Sequence, residues 1–102
     1  MKKIIDGKMY DTETAKNIGE YWNGIPMNDF GHASTTLYRT KNGTYFLYGE
    51  GGPQTEYAEC HGNTFSDGEL IRPFSEKTAK AWAEEKLDAE EYIKAFGEVE
   101  EA

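Results

Sequence analysis

The 102-residue chain has little of what marks secreted and membrane proteins: it holds one cysteine, three prolines and no long apolar run. A single cysteine cannot form a disulfide within the chain, which fits a reducing cytoplasm. No stretch approaches the roughly 20 apolar residues of a membrane-spanning helix, so we expect no membrane partner. Since no linker or low-complexity tract divides the chain, we expect one cytoplasmic domain over residues 1–97 and an acidic tail over 98–102.

Basic residues are also scarce, because 11 lysines and arginines stand against 19 acidic residues, for a formal net charge of −8. Residues 1–50 hold six basic and six acidic side chains, whereas residues 76–102 hold four lysines and nine acids. A strongly acidic surface repels nucleic acid and attracts basic surfaces. Acidic helices also serve simply to keep a protein soluble. The charge therefore favours a protein partner with a basic surface over direct nucleic-acid binding.

Aromatic residues are plentiful, at 14% of the chain, and the clearest predicted element concentrates them. Asn42-Gly43 separates two runs of β-forming residues and predicts a hairpin of residues 35–40 and 45–49 joined by a two-residue turn. In that register one face carries Tyr38, Thr40, Tyr45 and Leu47, and the other carries Leu37, Arg39, Phe46 and Tyr48. Because both faces are aromatic, we expect each to be covered or to meet a partner.

The N-terminal third is expected to add a short hairpin and a helix. Asp6-Gly7 suits the tight turn of a hairpin. After a helix-capping residue at Asp11 or Thr12, apolar residues at three- and four-residue spacing predict a helix of about three turns. Gly24 and the proline that follows it are expected to end this helix.

The remaining elements complete a predicted α+β fold. Residues 55–60 and 69–72 are expected to extend the hairpin into an antiparallel β-meander. Two C-terminal helices, over roughly 75–86 and 88–96 with Leu87 at the corner, have cap residues at their starts and a glycine after the second. We expect both helices to pack on one face of the sheet.

No sequence motif identifies a catalytic, phosphate-binding or metal-binding function. The Gly49–Pro53 segment lacks the lysine and hydroxyl of a phosphate-binding loop, and its proline removes a backbone donor. The soft metal ligands are His32, Cys60 and His61, too few to specify a metal site. Cys60 and His32 have the atoms of a nucleophile–base pair but no supporting motif. We therefore expect no cofactor, no metal and no enzymatic activity, and a small enzyme that uses these three residues is a remaining alternative.

Unpaired acids on the C-terminal helices give the best candidate for a binding surface. Several of them have no lysine four residues further on, and we call the set formed by Glu84, Glu85, Asp88 and Glu91 the acidic helix edge. It is predicted to contact basic residues of a protein partner. The hairpin aromatics compete for the roles of core residue and interface anchor, and the candidates among them are Tyr38, Tyr45, Phe46 and Tyr48.

Three stretches of the sequence resemble a known set of proteins. IIDGKMYDTETA, LYRTKNGTYFLYGEGGPQTEYA and AKAWAEE in a capped helix are similar to small proteins encoded by phages and mobile elements of Gram-positive gut bacteria. Short acidic phage proteins of this sort include inhibitors of host defence, anti-CRISPR proteins among them. The resemblance implies no catalytic residue.

The leading expectation from the sequence is a non-enzymatic, phage-encoded inhibitor that blocks a basic surface of a CRISPR-type host defence complex. Two alternatives use the aromatic hairpin in other ways. It could be the seam of a homodimer or of a larger structural assembly. It could also stack on bases as a weak binder of single-stranded nucleic acid.

Overall fold

The computed structural model describes residues 1–26, 31–52, 59–61, 64–66 and 68–102, with the backbone alone for 59–61 and 64–66. Within these residues eight strands precede two helices, which confirms the predicted α+β class. The elements are β1 (Lys2–Ile5), β2 (Lys8–Asp11), β3 (Lys16–Trp22), β4 (Ala33–Arg39), β5 (Tyr45–Gly51), β6 (Glu59–His61), β7 (Thr64–Ser66), β8 (Gly68–Phe74), α1 (Glu76–Lys86) and α2 (Ala89–Phe96).

The centre of the fold is a four-stranded antiparallel sheet in the order β3-β4-β5-β8. The predicted N-terminal hairpin, β1–β2, is confirmed as a separate two-stranded sheet, and β6–β7 forms another. Asp6 and Gly7 both have positive φ, at 51° and 77°, as the tight hairpin turn requires. Most of the strand expected over residues 55–60 lies outside the described residues.

The residues predicted as an N-terminal helix form a strand instead. Asp11 does start a helical turn, since its carboxylate accepts the Glu13 amide at 2.9 Å and its carbonyl accepts the Ala15 amide at 3.0 Å. The chain then enters β3, where a bulge between Asn17 and Gly19 inserts one extra residue opposite β4. This bulge interrupts the two-residue alternation of a strand, so that its apolar residues mimic helical spacing.

The β4–β5 hairpin forms as expected, but its register differs by one residue from the prediction. Tyr38 lies opposite Phe46, whereas a two-residue turn would place Leu47 there. The observed loop has three residues: the Gly43 amide donates to the Thr40 carbonyl, and Gly43 alone supplies positive φ, at 84°. A one-residue slip changes which cross-strand pairs share each face, so the predicted face assignments are wrong.

Strand β8 also extends further than predicted, because it continues through Pro73 to Phe74. Pro73 pairs with Phe46 and lies on an edge strand of the sheet. An edge position leaves one side of the strand unpaired, so a residue without an amide hydrogen is tolerated there.

The two C-terminal helices are confirmed, together with their predicted boundaries. The side chain of Ser75 accepts the Thr78 amide at 3.1 Å, and the side chain of Asp88 accepts the Glu91 amide at 2.8 Å. Leu87 breaks the helical path between α1 and α2, and Gly97 follows α2 with φ 93°. Each capping side chain satisfies an amide that the first helical turn leaves unpaired.

The chain itself covers the apolar part of both faces of the sheet, which is one of the two outcomes expected from the aromatic content of the hairpin. On the helix side, α1 and α2 bury a cluster built on Leu37, Tyr45, Leu47 and Ala79. On the hairpin side, β1–β2 covers a cluster built on Tyr10, Phe46 and Ile71. Phe46 is 0% exposed, with the Tyr10 ring edge-on at 5.4 Å and the Tyr38 ring stacked at 5.2 Å.

We expect Tyr10→Ala to lower the free energy of unfolding by about 3 kcal/mol, because it uncovers Phe46 and leaves a cavity. Tyr10 is 6% exposed, whereas its neighbour Met9 is 60% exposed. Met9→Ala is therefore the matched control, with a change within about 0.5 kcal/mol. Urea unfolding followed by circular dichroism measures the free energy of unfolding of both variants. Equal decreases for the two would show that β1–β2 does not stabilise the hairpin side of the sheet.

Candidate acidic binding surface

The structure divides the predicted hairpin aromatics between the core and the surface. Phe46 and Tyr45, which are 0% and 8% exposed, belong to the two core clusters and present no surface to a partner. Tyr38 and Tyr48 are half-buried on the hairpin side of the sheet. The chain itself covers much of both faces of this hairpin, and a homodimer seam there stays a prediction.

The acidic helix edge is exposed, but two of its four members already have roles within the chain. Asp88 caps α2, and the carboxylate of Glu85 lies 3.5 Å from the ammonium of Lys86. Glu84 and Asp88 line a groove of about 440 Å³ beside the C-terminal tail. Glu84 and Glu91 have exposed side chains with no ion pair among the described residues. This edge is acidic, but it offers few anchoring side chains.

A second acidic surface, not foreseen from the sequence, lies on the hairpin side of the sheet beyond the part that β1–β2 covers. The register aligns Trp22, Ser34, Glu50 and Glu69 in one row across four strands. The next row begins with Glu20, Thr36 and Tyr48. We call this surface the acidic sheet face, and it is made by Glu20, Trp22, Tyr38, Tyr48, Glu50 and Glu69.

Two carboxylates of the acidic sheet face compete for one hydrogen atom. Glu50 and Glu69 are direct cross-strand partners. The Tyr48 hydroxyl lies 2.7 Å from Glu69 Oε2 and 3.2 Å from Glu50 Oε2. A phenol has one hydrogen to donate, so it cannot fully satisfy both acceptors. The Ser34 hydroxyl donates to the other oxygen of Glu50 at 3.2 Å.

No lysine or arginine of the described chain forms an ion pair with Glu20, Glu50 or Glu69. The ion pairs found among the described residues join Lys80 to Glu76 and Lys86 to Glu85, and all four of these residues lie on α1. Like charges directly opposite each other destabilise a sheet. The acidic sheet face therefore keeps an unfavourable charge arrangement that a cationic group from outside would relieve.

The electrostatics of the neighbouring tyrosines reflect this negative field. Burial, the hydrogen bond to Glu69 and the charges of Glu50 and Glu69 all raise the pKa of Tyr48 well above its ordinary value. Burial and the charges of Glu20 and Glu50 raise the pKa of Tyr38 in the same direction. Both phenols therefore stay neutral donors at physiological pH.

An exposed tryptophan lies at the end of the same row. The Trp22 side chain is 54% exposed, and its indole N–H donates to the Ile25 carbonyl at 2.7 Å. This hydrogen bond holds the ring in one position while much of its surface stays in water. A fixed aromatic ring beside carboxylates offers both apolar area and charge to a binding partner.

The residues considered as metal ligands or as a nucleophile and its base do not form a site within the described part of the chain. His32 is buried, at 5% exposure, while the side chains of Cys60 and His61 lie outside the description. Within the described residues, no group of three or more histidine, cysteine or acidic side chains has the geometry to hold a metal ion. Among those residues, too, no helix has the length and apolar character needed to cross a membrane.

Three comparisons, with protein-family models, with curated proteins and with solved structures, find no match to this chain.

High-pH titration tests the geometry around Tyr48. Because its pKa is raised in the folded chain, Tyr48 contributes stability that is complete below about pH 10, where unfolded tyrosines begin to ionise. That stability is lost as the pH rises through the folded-state pKa. Ultraviolet absorbance of tyrosinate should show that Tyr48→Phe removes the component that ionises at the highest pH.

Two further variants identify the cause of the shift. Glu69→Gln removes a negative charge and the stronger acceptor of the Tyr48 hydrogen bond, so the Tyr48 component should move to lower pH. Glu84→Gln removes a carboxylate of the acidic helix edge and should leave the titration unchanged. A Tyr48 component that is unaffected by Glu69→Gln would contradict the hydrogen bond between these two residues.

Proposed function

We propose that this protein is a non-enzymatic binding protein whose acidic sheet face occupies a basic surface of a partner protein. The observation that carries the proposal is the cross-strand pair Glu50 and Glu69, which share one phenol hydrogen and meet no cation among the described residues. A lysine or arginine from a partner would supply the missing donors and remove the repulsion. The pair is costly for the isolated chain and becomes favourable in a complex.

The exposed apolar surface of Trp22 also supports the proposal. Protein interfaces gain most of their binding energy from a few aromatic or arginine anchors surrounded by polar groups that exclude water. The exposed Trp22 ring lies in the same row as Glu50 and Glu69. The acidic sheet face thus combines one aromatic anchor with three carboxylates, whereas in the acidic helix edge Glu85 and Asp88 already have partners in the chain.

The resemblance to small phage proteins suggests a particular kind of partner. Surfaces that bind nucleic acid are rich in lysine and arginine, because they neutralise phosphates. An acidic protein that covers such a surface in the bacterial cytoplasm would block a host defence complex of the CRISPR type. The same carboxylates would repel phosphates next to Tyr38 and Tyr48, which argues against the alternative in which these tyrosines stack on bases.

The test compares two matched triple variants of the full chain. In one, Glu20, Glu50 and Glu69 of the acidic sheet face become glutamine; in the other, Glu84, Glu85 and Glu91 of the acidic helix edge do. Each variant loses three negative charges, so non-specific electrostatic attraction falls equally in both. Affinity capture from the lysate of a Gram-positive gut bacterium, washed at about 50 and about 300 mM salt, compares their binding with that of the unmodified chain.

We expect the unmodified chain to retain a protein with a basic surface at the lower salt concentration and to release it at the higher one. The sheet-face variant should lose this protein and the helix-edge variant should keep it. Loss only in the helix-edge variant would move the binding surface to α1 and α2. Retention by both variants would contradict electrostatic docking altogether.

A further inference from the structure

A pocket on the opposite side of the sheet from the acidic sheet face has the composition of a small-molecule site. It has a volume of about 270 Å³ and lies between the helix side of the sheet and the second half of α1. Strands β3, β4 and β8 contribute to its walls together with α1. Its lining includes Tyr21, Thr35, Arg72, Phe74, Trp82 and Lys86.

Thr35 lines this pocket, but its hydroxyl is buried behind the pocket wall. Its residue is 9% exposed, and its side-chain oxygen is buried with no hydrogen-bond partner among the described residues. A buried hydroxyl without a partner costs free energy, and native structures contain few of them. The oxygen itself has no accessible surface, so it lies behind the pocket wall and is not a contact for a bound molecule.

Two cationic side chains give the pocket a preference for anions. The Lys86 ammonium lies 4.4 Å from the centre of the Tyr21 ring and 3.5 Å from the Glu85 carboxylate, so it is held beside the pocket and its charge is partly balanced within the chain. Arg72 belongs to the same pocket, and its guanidinium forms no ion pair or hydrogen bond with any described residue. A free guanidinium beside a cavity favours a carboxylate, which it can bind through two parallel hydrogen bonds.

Aromatic walls complete the site. Phe74 and Trp82 pack at the edge of the helix-side cluster, and Tyr21 faces them from β3. Aromatic side chains in a pocket favour a flat ring, which can lie against them in stacked or edge-on contact. The volume suits a molecule of about ten non-hydrogen atoms, smaller than a drug-sized ligand.

From these contacts we infer that the pocket binds a small aromatic carboxylate, with Arg72 and Lys86 recognising the carboxylate and the aromatic walls enclosing the ring. This inference does not rest on the proposed function, because it concerns the other face of the sheet. None of its residues belongs to the acidic sheet face.

The experiment is a titration of the full chain with benzoate, followed by nuclear magnetic resonance. Benzyl alcohol, which has the ring without the charge, and acetate, which has the charge without the ring, are the comparison probes. Benzoate is expected to shift the Trp82 indole and Thr35 amide signals in a saturable way below about 10 mM, in the millimolar range of dissociation constants. Both comparison probes should bind at least about tenfold more weakly, since benzyl alcohol lacks the carboxylate and acetate lacks the aromatic ring.

Three charge variants and one isosteric variant locate the contacts. Arg72→Gln and Lys86→Gln should each weaken benzoate binding several-fold. Lys80→Gln, which removes an α1 lysine that pairs with Glu76 outside the pocket, should leave it unchanged. Thr35→Val removes only the buried, unpaired hydroxyl behind the pocket wall, so it should leave benzoate binding unchanged and should not lower the thermal unfolding temperature.

Absence of a saturable shift with the unmodified chain would overturn the inference. So would benzyl alcohol binding as tightly as benzoate, or benzoate binding that both Arg72→Gln and Lys86→Gln leave intact. Signal dispersion in each variant's spectrum shows whether it is folded. Since Arg72 is exposed and Lys86 lies near the end of α1, at least one of the two variants is expected to keep the fold.

Discussion

The central sheet carries large apolar side chains on both faces, and the rest of the chain is arranged to keep both faces from water. Phe46 and Leu47 are neighbours in β5 that point to opposite sides, and both are buried. Sheets with one wet face show polar residues there, so a strand like β5 requires two covers. The two helices supply one cover and the β1–β2 hairpin supplies the other.

On the hairpin side this coverage stops short of one end of the sheet, and the two faces of the sheet differ in charge. On the hairpin side, the rows beyond the cover carry Glu20, Glu50, Glu69 and the exposed Trp22. On the helix side, a pocket with two cationic side chains in its lining lies between the sheet and α1. The sheet thus presents an anionic surface on one side and a pocket lined by two cationic side chains on the other. The proposed protein partner and the proposed small anion would therefore use different residues.

Local signals in the sequence predicted local structure well. The positive-φ turn at Asp6-Gly7 and the caps at Ser75 and Asp88 depend on the chemistry of a few neighbouring residues, so the sequence alone specified them. The helix predicted after Asp11 was wrong, although its capping signal was real. One helical turn forms, and the bulge in β3 then hides the alternation that would have indicated a strand.

Features that depend on strand register could not be predicted from the sequence. Asn42-Gly43 is compatible with a two- or a three-residue loop, and the choice decides which side chains share a face. Glu20, Glu50 and Glu69 lie on three strands far apart in the chain, so their meeting requires the strand order as well as the register. The sequence signal closest to this site was the set of aromatics, of which Tyr38 and Tyr48 do border it while Tyr45 and Phe46 form core.

The central claim is that the chain covers its own apolar faces and leaves the acidic sheet face for a partner. Carboxylate footprinting by mass spectrometry tests it most directly, with carbodiimide labelling of the full chain in buffer and in bacterial lysate. The account predicts that labelling of Glu20, Glu50 and Glu69 falls in lysate, while labelling of Glu84 and Glu91 stays the same. Unchanged labelling of the sheet-face carboxylates, with protection confined to the helix edge, would contradict it.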